Sequence, residues 1–502
     1  MVQALPKRVA VSWKVWTAWL VWAWGVCIWP APGAAIALEA RSAQSAQSSQ
    51  ASQDSQAALE SLVQHAMANN PRLKAAWSRV EAALEKVPQE RSLQDPRLSL
   101  GWFAVPAETR VGPQVARLGL TQTIPWIGKL IARGDRAALE AEAEKARFDA
   151  LRLTITYDVK RVWYELAALE EAVRVAREAG ILLEHLEGVI HARYVAGMAP
   201  MADLLAVQSE RDLLGDRVRT LEARRGPTLA SLNAALHRPL EMALPATPDI
   251  PLFTLDLQEA ALVERLEAMS PQLKVFEHLL ERERKGETLA RLDYIPDFTL
   301  GIETTITNQW DVYRGVDSTG QWMFPAPPPG DSGKDPVVLS LSFTLPIFNE
   351  RRQAATREAR ARQLAAINDR DGLRDRLAAD LVMARFNLDD AARKTALYRE
   401  ALLPRAVQGF GAAIGAYQAG TGRYAELIMA QRSLLELELN AVQALAAQGQ
   451  RLAEIESLVG EDLPVTPAPG GSLRQARAGL ERPDIARPDT TTSGISHQEG
   501  IR

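Results

Sequence analysis

Two stretches carry the residues whose types and spacing could do chemistry. The first runs Arg193-Tyr194-Val195-Ala196-Gly197-Met198 and on through Asp203 to Gln208. The second runs Tyr417-Gln418-Ala419-Gly420-Thr421 and on through Glu426 to Gln431. Tyr194 and Tyr417, Gly197 and Gly420, Asp203 and Glu426, and Gln208 and Gln431 all match at a single offset. Each copy is therefore a Tyr-x-x-Gly turn, then a carboxylate, then an apolar helix. The glycine supplies the backbone freedom to reverse one helix into another. Asp203 and Glu426 fall in first helical turns, where the helix dipole favours an acid whatever else it does. Met198, Met201 and Met429 gather at the same turns. Soft thioethers can hold monovalent copper, but methionine more often fills irregular space, and no metal site is assigned to them.

The chemistry of enzymes is hard to place in this chain. Its six histidines form no metal-spaced pair on one helix face. No Gly-rich phosphate loop and no Gly-x-Ser-x-Gly is present. The single cysteine, Cys27, lies in the extreme N-terminal segment, so disulfides and thiol chemistry are excluded from the body. A net charge of −4 gives no basic footprint for nucleic acid. Neither catalytic residues nor a cofactor is expected.

The elements that must position the two turns also come in pairs. A helical pattern around Leu59, Leu62, Val63 and Ala66 is broken at Asn70-Pro71 and resumes at Leu73; its partner runs from Ala260, breaks at Ser270-Pro271 and resumes at Leu273. After Pro96 and again after Pro296 the period switches to two. Leu98, Leu100 and Trp102 alternate with Ser99 and Gly101, and Phe298, Leu300, Ile302 and Ile306 alternate with Thr299, Gly301 and Glu303. A second strand follows in each half, around Leu118 and Leu120 and around Leu339, Leu341 and Phe343. All four strands are apolar on one side and small or polar on the other. Two isolated hairpins make no stable sheet alone, and Gly, Ser and Thr suit the wet lumen of a barrel. The loop from Thr307 to Asp335 is long and aromatic, as an outward-facing loop would be. Trp102, Trp126, Trp310 and Trp322 lie near strand ends, as interfacial anchors or as ordinary packing residues.

Each second strand ends in a proline, Pro125 or Pro346, and long helices follow. The stretch from Trp126 to Ala192 has no proline and would reach roughly 100 Å. Ile155, Val159, Val162, Leu166, Leu169, Val173 and Ala176 step by four and three as a heptad seam. The partner seam, Leu377, Leu381, Ala384, Leu388 and Ala391, is interrupted at Pro404, and Leu427, Ala430, Leu434, Leu437 and Ala441 resume it.

The expected organisation is as follows. Residues 1–37 form an export signal, with basic Lys7, Arg8 and Lys14, an apolar run and small residues before Ala37. Residues 38–57 are a low-complexity leader. Repeat 1 spans 58–238, with its hairpin at about 96–124 and tip turn at 193–201. A linker, 239–256, leads to repeat 2 at 257–463, with its hairpin at about 296–345 and tip turn at 416–423. Residues 464–502 read as a disordered tail.

In this order, twice, the two tip motifs and the two strand-to-helix prolines resemble the TolC-like outer-membrane factor family, from roughly Leu59 to Val459. The resemblance implies a mainly α fold with β-hairpins: two tandem repeats forming a long coiled-coil α-barrel, and four transmembrane strands per chain. As a homotrimer these strands would close a twelve-stranded barrel in outer-membrane lipid of a Gram-negative bacterium, with a long periplasmic extension. Closure would remove edges that cannot face lipid. The resemblance further implies a passive exit channel whose periplasmic tip docks a periplasmic adaptor (membrane fusion) protein and an inner-membrane pump of the resistance-nodulation-division type. Carried over by position, the periplasmic gate is Asp203, Tyr417 and Glu426. The docking tip is Tyr194, Val195, Ala196, Gly197 and Met198 with Tyr417, Gln418, Ala419, Gly420 and Thr421. A ring of carboxylates at a constriction would favour cations. Gly422 departs from the pattern where some members place an arginine, with Arg423 next to it. The junction Gln122-Thr123-Ile124-Pro125-Trp126-Ile127-Gly128-Lys129 is similar to that of members serving heavy-metal pumps, which implies heavy-metal efflux and resistance. The alternatives are a drug-efflux or type I protein-secretion duct and, from another class, a periplasmic coiled-coil scaffold without a pore.

Overall fold

A computed structural model describes residues 55–244, 250–326 and 328–472. The export signal with Cys27, most of the leader and the chain beyond 472 lie outside the described residues. Helix α1 (55–69) leads into α2 (Pro71–Arg91). Between them, the Asn70 carboxamide accepts from the Arg72 N–H at 2.9 Å and donates to the Ala235 carbonyl at 2.8 Å. Pro71 starts α2, where a missing N–H costs nothing. Strands β1 (Arg97–Thr109) and β2 (Gly112–Ile124) form a hairpin, followed by α3 (Ile127–Val195) and α4 (Met201–Ala235).

The second half repeats the order. It runs β3 (Pro251–Thr254), α5 (Glu259–Met269), α6 (Pro271–Leu292), β4 (Phe298–Thr307), the ribbon β5 (Tyr313–Val316) and β6 (Trp322–Ala326), and β7 (Val337–Phe343). Then come α7 (Asn349–Leu397), α8 (Leu403–Gln418), α9 (Tyr424–Val459) and β8 (Thr466–Ser472). Helix α3 is a single run of 69 residues, about 100 Å at 1.5 Å per residue. The interruption expected at Pro404 is a π-helical segment, Tyr398–Leu402, in which the Leu403 N–H reaches back to the Tyr398 carbonyl. Proline has no N–H for the regular ladder, and the wider turn accommodates the missing bond.

The two hairpins merge into one antiparallel sheet of order β1-β2-β4-β7. Its middle pairing, β2 on β4, runs from Ile124↔Phe298 to Gln114↔Thr307. Strands β1 and β7 have no further partner among the described residues. The apolar side is bare: Trp102 is 83% exposed and Leu339 80%. Beneath the sheet, buried Lys129 joins the bases of the two hairpins, donating to the Ile295 carbonyl at 2.7 Å and to Asp297 at 2.8 Å. Among the described residues no helix is long and apolar enough to cross a membrane.

The core is a series of clusters along the helices. One joins α1, α3 and α4 around Trp163, Leu232 and Leu236, and one joins α5, α7 and α9 around Leu262, Leu381 and Ile455. The largest lies at the tip around Leu183, Ile190, Phe410 and Leu427. In the α3 seam, Val175 is fully buried and the expected Val173 only half so. A straight helix drifts by about 20° per heptad, which brings the neighbouring position inward.

Part of the expected tail is ordered. Strand β8 pairs with β3 of the linker, Phe253 opposite Pro467 and Thr254 opposite Thr466. Phe253 and Leu463 are buried together with Leu262 and Val459, so apolar contact anchors the ribbon that a Pro- and Gly-rich composition hides. Trp310 is half-buried, its indole N–H donating to the Thr109 carbonyl at 3.1 Å. Trp322 is 75% exposed.

Candidate gating and docking site

Both tip turns are built by the same backbone chemistry. At the end of α3 the Met198 N–H bonds the Arg193 carbonyl at 2.8 Å and the Gly197 N–H bonds the Tyr194 carbonyl at 2.9 Å. At the end of α8 the Thr421 N–H bonds the Ala416 carbonyl at 3.0 Å and the Gly420 N–H bonds that of Tyr417 at 3.1 Å. These are paired Schellman closures, with Gly197 at φ +69° and Gly420 at φ +78°. The closure requires the left-handed conformation three residues after each tyrosine, which is the physical content of Tyr-x-x-Gly.

Side chains bring the two turns together. The Arg193 guanidinium donates to the carbonyl of Tyr417 and, at 3.4 Å, to that of Gln418. Its carbon lies 4.8 Å from the Tyr417 ring centroid. One cation thus adds a donor to the last carbonyls of α8, meets that helix's negative pole and covers an aromatic face. Further along, Arg432 of α9 pairs with Glu210 of α4, and Arg217 of α4 with Glu436 of α9 at 2.5 Å.

Of the predicted gate residues, Asp203 and Tyr417 converge and Glu426 stands apart. Burial raises the Asp203 carboxyl above its ordinary range, and it makes no side-chain hydrogen bond or ion pair among the described residues. Burial, then the nearby Asp203 charge, raises the Tyr417 phenol, with Arg193 opposing. Tyr424, which sequence reasoning did not single out, belongs to the same group. Burial first, then Glu210 and Asp203, pushes it up to about 12. The hydroxyls of Tyr417 and Tyr424 are both buried without a hydrogen-bond partner. Glu426 instead pairs with Arg423 at 3.0 Å on an exposed surface. The arginine beside Gly422 therefore serves Glu426 and leaves Asp203 to the tyrosines.

The docking residues divide in the same way. Tyr194, Val195, Ala196, Gly197 and Met198 are exposed, Val195 by 72%. Gln418, Ala419, Gly420 and Thr421 are exposed too. Tyr417 is only 5% exposed, so its ring belongs to the interior of the tip and offers no docking surface. Arg193 went unassigned because its partner backbone lies in the other repeat. The signal for Tyr424 was its place in the turn after Gly422, next to an apolar helix. Among the described residues no group of His, Cys, Asp and Glu is arranged to hold a metal ion.

Long paired helices, an amphipathic four-stranded sheet and a pair of joined helix-reversing turns are the features that the comparison with known proteins has to account for. The sequence pattern of the outer membrane efflux protein family matches residues 62–236 and 262–461. The chain belongs to that family, and it is an outer-membrane protein with a long periplasmic helical part. Direct sequence comparison with curated proteins finds no match. Among solved structures, the chain is similar to the outer membrane protein VceC from Vibrio cholerae, with 17% identity and a TM-score of 0.65 over 82% of this chain and 98% of that one. It is similar to CusC, with 15% identity and a TM-score of 0.67 over 80% of this chain and 92% of that one. It is also similar to the open state of the MtrE outer membrane channel of Neisseria gonorrhoeae, with 19% identity and a TM-score of 0.61 over 81% and 89%. Family membership removes the scaffold without a pore from consideration.

Proposed function

We propose that three copies of this chain close a twelve-stranded barrel in the outer membrane and form the passive exit duct of a tripartite efflux system. The observation that carries this is the sheet: a bare apolar side and two edges unpaired among the described residues, on a chain of the outer membrane efflux protein family. Unpaired edges in lipid cost several kcal/mol per polar group, and closure with neighbouring copies removes them. Helix α7 supports the same assembly, since Leu364, Met383 and Phe386 are each 60% or more exposed on a periplasmic helix with no lipid to cover them. The chain catalyses nothing; the partner pump supplies the energy. Residues 1–37 act as the export signal, and the two repeats supply one hairpin of strands and one tip turn each.

The tip is held by Arg193 on the Tyr417 carbonyl and ring; Asp203, Tyr417 and Tyr424 form the gate group beneath it, with Glu426 as a second acidic position at the rim. The exposed turn residues at 194–198 and 418–421 meet a periplasmic adaptor, and through it a pump of the resistance-nodulation-division type. Outer-membrane fractionation of the intact protein and gel analysis of a heat-modifiable trimer test the assembly. A trimer that dissociates only on heating is expected, and a monomer without membrane association would contradict it. The narrower cargo reading, heavy-metal cations, rests on the 122–129 junction and the tip acids. A deletion strain should become sensitive to metal salts with unchanged drug sensitivity, and the reverse pattern would replace this reading by drug efflux.

A further inference from the structure

The wall of the sheet opposite its apolar side carries one feature that a passive barrel does not require. Arg117 and Glu303 are the only charged residues of β2, β4 and β7, while β1 carries Arg97 as its first residue and Glu108 beside its turn. The register sets Gly119 opposite Glu303 and Arg117 opposite Thr305, so the two charges are diagonal neighbours on one side of the sheet. That side is the one opposite Leu118, Leu120 and Ile302, because successive side chains alternate. The two side chains meet at 2.9 Å, Arg117 Nε to Glu303 Oε1, and remain 52% and 40% exposed. The Arg117 guanidinium carbon also lies 5.9 Å from the Phe103 ring centroid.

The surrounding wall is low. A Cβ on Gly119 would stand 2.6 Å from the Ser99 hydroxyl, and one on Gly301 would stand 2.5 Å from that of Ser340. A side chain at either place would have to push the neighbouring serine hydroxyl aside, and the long side chains of Arg117 and Glu303 rise above this floor of glycine and serine. Stability does not explain the pair. An exposed ion pair contributes little to stability, and an uncharged pair would close the same sheet. Charge inside a pore, in contrast, acts on every ion that passes.

We propose that Arg117 and Glu303, in the exit duct inferred above, form a charge-balanced belt that fixes the ion selectivity of the membrane-level pore. Each chain contributes one cation and one anion at the same height. Three chains give six alternating charges that sum to zero, and the field of such a belt fades within a few Å of the wall. Ions of either sign pass the level of this belt equally. Removing one partner turns the belt into three like charges. Their reach is about 10 Å at 0.1 M salt and about 3 Å at 1 M, so the effect belongs to low ionic strength.

The test is the reversal potential of the full-length trimer in planar bilayers under a potassium chloride gradient. Glu303→Gln should shift selectivity toward anions and Arg117→Gln toward cations, each by about two- to fivefold in permeability ratio at 0.1 M, both shrinking toward 1 M. The double variant should return to the wild-type value, although it lacks the ion pair. A merely structural pair would not give shifts of opposite sign. Conducting trimers whose single variants leave the reversal potential unchanged, or shift it in the same direction, overturn the belt and spare the exit-duct reading. Protein that inserts as a trimer and does not conduct overturns both.

Discussion

The two tip turns share a backbone and divide the work. Gly197 and Gly420 close their helices with the same pair of hydrogen bonds and the same left-handed φ. Three substitutions between equivalent positions then separate them. Where the first turn has Arg193 the second has Ala416, so only the first can reach across, and it grips the Tyr417 carbonyl and ring. Where the second has Arg423 the first has Pro200, so Glu426 has a cation beside it and Asp203 has none. Where the first has Ala199 the second has Gly422, at which a Cβ would lie 3.0 Å from the Ala416 backbone. A duplicated motif fixes chain reversal in both copies. Divergence at the flanking positions makes one turn the latch and the other its seat.

Arg193→Ala is the sharpest way to break that asymmetry. It removes charge-assisted bonds to two carbonyls and an aromatic contact, and should cost about 2 kcal/mol locally. Hydrogen exchange over 190–205 and 415–430 should speed up in both turns, and single-channel conductance should rise. Faster exchange in the first turn alone would show that the latch carries no load. Gly197→Ala and Gly420→Ala come next, at about 1–2 kcal/mol each from the left-handed backbone. Their equal effect on exchange would confirm that the backbone part of the motif is symmetric.

The pH response of Asp203 is smaller. Its carboxyl is raised by burial, so the folded tip favours the neutral form. The stabilisation is complete below the ordinary value of 3.8 and is lost as pH rises through the higher folded value. Protection factors at the tip, corrected for the intrinsic pH dependence of amide exchange, should therefore rise on acidification across that window, and Asp203→Asn should abolish that rise. Glu426→Gln is the smallest perturbation, at most about 0.5 kcal/mol for an exposed pair. An effect as large as that of Arg193→Ala would place Glu426 inside the closing network.

Much of this was legible in the residues. Period-two alternation around Leu98 and Phe298 located the strands because a pleated strand sorts its side chains by face. Gly197 and Gly420 located the turns because a left-handed closure tolerates little else. The absence of proline from 127 to 192 foretold one unbroken helix. What stayed hidden depends on tertiary pairing. Pro404 announced a defect but not its π-helical form. Pro467, Gly470 and Gly471 suggested disorder, whereas Phe253 and Leu463 anchor the ribbon β3–β8. Arg193 looked like part of a local motif because its target is Tyr417, in the other repeat. Tyr417 looked like a docking residue because position in a turn does not reveal which way a ring packs.

The central claim is that three chains make one conducting tube closed at the Arg193–Tyr417 end. Single-channel recording of purified, heat-modifiable protein in planar bilayers tests it most directly. The native protein should show small unit steps and Arg193→Ala and Arg193→Gln larger ones, because both lose the grip on the Tyr417 carbonyl and ring. Membrane-inserted trimer that shows no steps, or steps the same size in all three proteins, would contradict it.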